Sequence, residues 1–117
     1  MGEITLRKAL NDYKIVYMPS RNFAQRTRVE YLNDLKGLIQ FLEQLGLKEV
    51  KHIGLPQLER YLAELDNREI AGSTRKRKVV AIRSFLSFLY QDEYISVNLA
   101  KRLIFQSFEF HLIWQRG

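Results

Sequence analysis

Apolar residues recur along most of this chain at intervals of three and four, the period of a helix with one buried face. Leu6, Leu10, Tyr13 and Tyr17 set out a first helix. It is expected to stop near Met18-Pro19, because the residue before a proline avoids helical backbone. Thr27-Arg28-Val29-Glu30 has the form of a capping box, in which Thr27 and Glu30 each satisfy an orphan backbone N–H. The stripe Tyr31, Leu35, Leu38, Leu42, Leu45 follows it, and Gly46 stands where that helix should end. Pro56 suits the first turn of another helix, with Leu58, Tyr61, Leu62 and Leu65 inward and an end at Asp66-Asn67. Gly72-Ser73-Thr74 then breaks the chain and caps a long helix to about Gln91, whose inward face is Val79, Ile82, Phe85, Leu86 and Leu89. Asn98 caps a short last helix with Ala100, Leu103 and Ile104 inward. Connections are short and no strand pattern competes over residues 1–104, which predicts an all-α, compact bundle of four to five helices.

Residues 105–117 break this pattern. Phe108, Phe110, Leu112 and Trp114 alternate as in a strand, while Ile104, Phe108 and Leu112 also fit a helix. The chain therefore divides into a helical domain over 1–104 and an aromatic C-terminal tail over 105–117. That tail either packs on the bundle as a helix or strap, or pairs with another chain in self-association.

Composition narrows the possible functions. With 117 residues, 46% of them hydrophobic, the chain makes one domain large enough to bury roughly two thirds of its unfolded surface. The absence of Cys removes disulfides, thiol nucleophiles and thiolate zinc sites, and suits a reducing cytoplasm, the expected location. No apolar run approaches the ~18 residues of a membrane span, and an N-terminus with Glu3 and no apolar core is not expected to act as a secretory signal. A net charge of +6 points to an acidic polymer, nucleic acid first.

The charge is unevenly placed. Residues 1–29 hold Arg7, Lys8, Lys14, Arg21, Arg26 and Arg28 against Glu3 and Asp12. Residues 30–70 are acidic in balance, and residues 71–91 hold Arg75, Lys76, Arg77, Lys78 and Arg83 with no acid. If the two basic stretches meet in the fold, they make one patch.

Catalytic groupings are scarce. His52 and His111 form no zinc spacing, the six Gly stand singly and build no phosphate loop, and Tyr31 and Tyr61 lie on apolar stripes. No metal, cofactor or small-molecule substrate is predicted. The run Ser73-Thr74-Arg75-Lys76-Arg77-Lys78 does stand out. On the first turns of a helix its four bases point about 100° apart, so two or three can face one duplex and neutralise phosphates. A free helix N-terminus offers a further phosphate contact there. Cations at that end oppose the helix dipole by a few tenths of a kcal/mol each, which implies a purpose other than stability.

From Ala24 to Ile104 the chain resembles the N-terminal core-binding, SAM-like domain of the tyrosine recombinases, the phage integrases and Xer-type resolvases. Thr27, Tyr31, Asp34, Leu35, Phe41 and Leu42 match the opening helix of that domain, and Ile53, Leu58, Tyr61 and Leu62 its second. Ser73-Thr74 through Arg77, Ala81-Ile82-Arg83-Ser84-Phe85 and Phe88-Leu89 are similar to its capped basic helix. Tyr94-Ile95, Asn98 and Ala100 fit its closing motif, with Leu99 where Pro is usual.

The resemblance implies double-stranded DNA as partner, clamped between this domain and a separate C-terminal catalytic domain. By it, Arg26, Thr27 and Arg28 at one helix start and Ser73, Thr74, Arg75, Lys76, Arg77, Lys78 and Arg83 at another would meet DNA. Most of these contacts would be to phosphate, with one or two Arg reaching a guanine edge. The family's catalytic Arg, Lys, His and Tyr have no counterpart here: Trp114 stands three residues after His111, where Arg is needed. The chain is thus expected to bind DNA without cutting or joining it alone. A helical protein-interaction module and a free-standing DNA-binding regulator are the alternatives.

Overall fold

A computed structural model describes residues 3–106, with side chains as far as Leu103. Among the described residues the fold is all-α, with no strand, and each connection is a tight turn or a short irregular stretch. The inward placement of Ile104 and both readings of the aromatic tail beyond Gln106 fall outside these residues.

Helix α1 (Leu6–Asp12) opens on Thr5, whose side chain accepts from the Lys8 N–H at 3.0 Å. It continues through a π-helical turn (Tyr13–Tyr17) into α2 (Met18–Ser20). The expected stop at Met18-Pro19 does not occur. Met18 is helical, at φ −59° and ψ −47°, and its N–H reaches back five residues to the Tyr13 carbonyl. A turn widened in this way relieves the clash that a proline ring makes with the carbonyl four residues earlier, so Pro19 stays in the helix. The chain turns away only at Asn22, at φ 55°. Leu6, Ala9, Tyr13, Tyr17 and Met18 are buried, and Leu10 packs at the core's edge.

Helix α3 (Gln25–Gln44) begins two residues before the predicted cap, on an extended Ala24. Thr27 is therefore inside the first turn and the capping box does not form. The cause lies just upstream: the Phe23 ring packs edge-on against Tyr13 and Tyr31, and Arg28 Nε donates to the Phe23 carbonyl at 2.8 Å. This anchors the chain immediately before Ala24. The other end matches expectation. Gly46 at φ 96° lets Leu47 N–H return to the Leu42 carbonyl at 3.0 Å and Gly46 N–H to Glu43 at 2.9 Å, a Schellman closure.

A single 3₁₀ turn (Val50–His52) leads to α4 (Leu55–Asn67), where Leu58, Tyr61, Leu62 and Leu65 are buried as their spacing predicts. Helix α5 (Gly72–Gln91) starts on Ala71 with no side-chain cap, so Ser73 and Thr74 are first-turn residues rather than caps. Its face of Val79, Ala81, Ile82, Phe85, Leu86, Phe88 and Leu89 is buried. Helix α6 (Leu99–Gln106) opens with Asn98 Oδ1 accepting from Lys101 N–H at 3.1 Å, and Leu99, Ala100 and Leu103 are buried.

Helix α5 is the axis of the bundle, packed between α3 and α6, with α4 against both α3 and α6. The π turn closes the remaining side: Tyr13 meets Phe85 edge-on at 5.5 Å, and its hydroxyl pairs with Ser84 Oγ at 2.7 Å. Tyr13 and Tyr17 bring Phe23, just before α3, beside Phe88 near the end of α5, while Asp34 in mid-α3 meets Arg77 near the start of α5. Helices α3 and α5 are therefore antiparallel neighbours.

Candidate nucleic-acid interface

The junction of α3 and α5 is built on one buried charge. Asp34 is 1% exposed, yet lies on a helix whose inward neighbours are Leu35, Leu38 and Ile39. Its carboxylate accepts from Arg77 Nε and Nη2, both at 2.8 Å, and from Lys78 Nζ at 3.1 Å. Two consecutive residues can do this because side chains about 100° apart on α5 straddle the line along which α3 lies. Burial alone would push the Asp34 carboxyl up; the hydrogen bonds and charges of Arg77 and Lys78 outweigh it and hold the group below the usual carboxylate range. The hydrogen bond to Asp34 in turn raises Arg77 above the ordinary guanidinium value.

Outside that junction both helices turn a largely polar face to solvent, interrupted by exposed Val29 on α3 and Val80 on α5. On α3 the exposed residues Arg26, Val29, Asn33, Lys36 and Gln40 share one face by their spacing. On α5 Lys76 and Val80 are exposed and Arg83 and Ser87 half-buried on the equivalent face, with Ser73 exposed at its start. Because the helices are antiparallel, the predicted bases do not gather end to end. Arg26 lies about 12 Å along α3 from Asp34, eight residues at the helical rise, and so far from Ser73 and Thr74.

Arg28 and Arg77 do line one concavity, about 670 Å³ in volume. The remaining predicted residues are variously committed. Arg26 pairs with Glu30 at 3.3 Å, while Thr27, Thr74 and Arg75 are half-buried, Arg75 with its Nε sealed from water and unpartnered. Lys78 is held against Asp34.

Two bases that sequence reasoning missed complete the concavity. Lys14 from the π turn and Lys36 from α3 line it with Arg28 and Arg77, and neither makes an ion pair among the described residues. Lys36 was hidden by an acidic segment average; counting ten residues on from Arg26 would have placed it on the same face. Lys14 was counted in the basic stretch 1–29, but only the packing of the first helix on α3 brings it to this place. The concavity is basic in balance, with Lys14, Arg28, Lys36 and Arg77 against Glu30. Among the described residues no cluster of His, Asp or Glu could hold a metal ion, and no helix is long and apolar enough to cross a membrane.

Comparison with known proteins agrees with the fold. Residues 10–93 match the family described as phage integrase, N-terminal SAM-like domain, a match that starts inside α1, ahead of the resemblance at Ala24, and ends before the closing motif at Tyr94-Ile95, Asn98 and Ala100. The chain is similar to tyrosine recombinase XerC of Listeria innocua, 31% identical over 78 residues, which is 67% of this chain and 26% of that protein. It is also similar to tyrosine recombinase XerD of Chlorobaculum tepidum, 30% identical over 97 residues, which is 83% of this chain and 32% of that protein. The chain thus spans about a quarter to a third of the length of the curated relatives it matches. No solved structure matches it.

Proposed function

For a chain that belongs to the family of phage integrase N-terminal SAM-like domains, we propose that its work is to hold double-stranded DNA, as the core-binding part of a tyrosine recombinase. The observation that carries this reading is the pair of largely polar faces on antiparallel α3 and α5, with Arg26 and Lys36 on one, Lys76 and Arg83 on the other, and a concavity that adds Lys14, Arg28 and Arg77. Two helices side by side with bases spread along both track a duplex backbone, whose phosphates recur along each strand. Most contacts on this reading are to phosphate and fix position; Arg83, in the middle turns of α5, is the base we assign to a groove edge.

The cutting and joining of strands we assign to residues outside this stretch. Tyr13 and Tyr61 are buried, and burial raises both above the ordinary phenol range, away from nucleophilic use. A second reading, a protein-interaction module, is favoured by one observation: adjacent Ile15 and Val16 on the π turn are 57% and 56% exposed.

Fluorescence anisotropy of a labelled duplex tests the two readings. The variant Lys36→Ala/Lys76→Ala/Arg83→Ala should stay folded by circular dichroism and bind at least ten times more weakly than wild type, since each phosphate or base contact is worth about 1 kcal/mol or more. Equal binding by the triple variant would remove the assigned face, and an Ile15→Ser/Val16→Ser variant that alone lost binding would favour the second reading.

A further inference from the structure

We infer that Asp34 is a positioning residue for the DNA face, turning the Arg77 guanidinium outward and withdrawing Lys78 from that face; the inference rests on the reading of α3 and α5 as a duplex-binding surface. The carboxylate takes Arg77 side-on, through Nε and Nη2. This uses one hydrogen on each nitrogen and leaves both hydrogens of Nη1 and the second of Nη2 directed away from Asp34. The Arg77 side chain keeps 34% of its surface in solvent and borders the concavity that holds Lys14, Arg28 and Lys36. A planar guanidinium fixed by its inner edge meets a phosphate through its outer edge without first losing rotamer freedom.

Lys78 has the opposite fate. Its ammonium is a point charge on a flexible stem, drawn to Asp34 Oδ1 at 3.1 Å and 19% exposed. Glu30, one turn before Asp34 on the same helix, pairs with Arg26 at 3.3 Å and adds only a longer-range charge attraction to Arg77, whose hydrogen bonds go to Asp34. The basic run is thus divided by one carboxylate. Arg77 serves the surface and Lys78 serves the joint between α3 and α5.

The test is duplex affinity and its salt dependence for Asp34→Asn, Arg77→Lys, the double variant and Lys78→Met, with thermal melts of each. Asp34→Asn removes a negative charge from a basic surface, so charge alone would tighten binding. Positioning gives the opposite sign: about tenfold weaker binding and a salt slope shallower by about one, the signature of a lost phosphate contact. Arg77→Lys keeps the charge and loses the fork, so it should weaken binding to a similar degree, and the double variant should lose no more than either single one.

Lys78→Met should lower the melting temperature while leaving affinity within about twofold and the salt slope unchanged. Should Asp34→Asn fail to fold, Arg77→Lys and Lys78→Met, which leave Asp34 partnered, decide the matter between them. Wild-type binding with Asp34→Asn folded and binding as well or better, or additive losses in the double variant, overturns the positioning role alone. Absence of wild-type duplex binding overturns the surface reading and the inference with it.

Discussion

The starts of α3 and α5 are both basic, yet they hold their charge in different ways. At α3 the partners are local: Arg26 reaches Glu30 one turn on, and Arg28 reaches the carbonyl of Phe23 five residues back. At α5 the partner is Asp34, 43 residues from Arg77 in sequence and buried between the helices. Local pairs arrange a helix end and are cheap to lose, since exposed i,i+4 pairs contribute only a few tenths of a kcal/mol. A buried carboxylate is different, because removing it strands two cations at a helix joint. Charge runs that look alike in a sequence can therefore be a surface in one place and a joint in another.

The largest expected effect breaks this contrast at its centre. Asp34→Ala should lower the unfolding free energy in urea by about 3 kcal/mol, the lower part of the range for a broken buried pair because Arg77 keeps partial contact with water. Acid should act on the same group. Its folded-state pKa is depressed, so its stabilisation is complete above the unfolded value of about 3.9 and is lost as pH falls through the lower folded value. Urea midpoints between about pH 5 and pH 2 should fall more steeply for wild type than for Asp34→Asn. Arg28→Ala should cost about 1 kcal/mol by freeing the Phe23 carbonyl and loosening the start of α3. Glu30→Gln should change stability by no more than about 0.5 kcal/mol. An effect of Glu30→Gln as large as that of Asp34→Ala would erase the distinction.

Much of the fold was legible because its helices follow elementary rules. The buried face of α4 and the Gly46 and Asn98 ends follow from spacing and cap chemistry. Where the reading failed, tertiary contacts had overridden local signals. Pro19 stays helical because a π turn makes room for it, Thr27 is no cap because Phe23 is pinned by aromatic neighbours, and Ser73 and Thr74 lie inside a helix that starts on Ala71.

The candidate site was less legible than the fold. Helical spacing could divide the basic run into directions, but no local rule says that Asp34 waits opposite Arg77 and Lys78, or that α3 and α5 run antiparallel and so keep Arg26 away from Ser73. Lys14 enters the site only through packing of the first helix. Family resemblance pointed to the starts of α3 and α5, and the side-chain geometry then divided the bases of α5 between the surface and the joint with α3.

The most direct test of the central claim is the slope of log Kobs against log salt for this chain on a labelled duplex. A slope near −4 is expected, from about four or five phosphate contacts at about −0.9 each, shared between α3 and α5. A flat response, in a protein shown to be folded, would contradict the assignment of these faces to DNA.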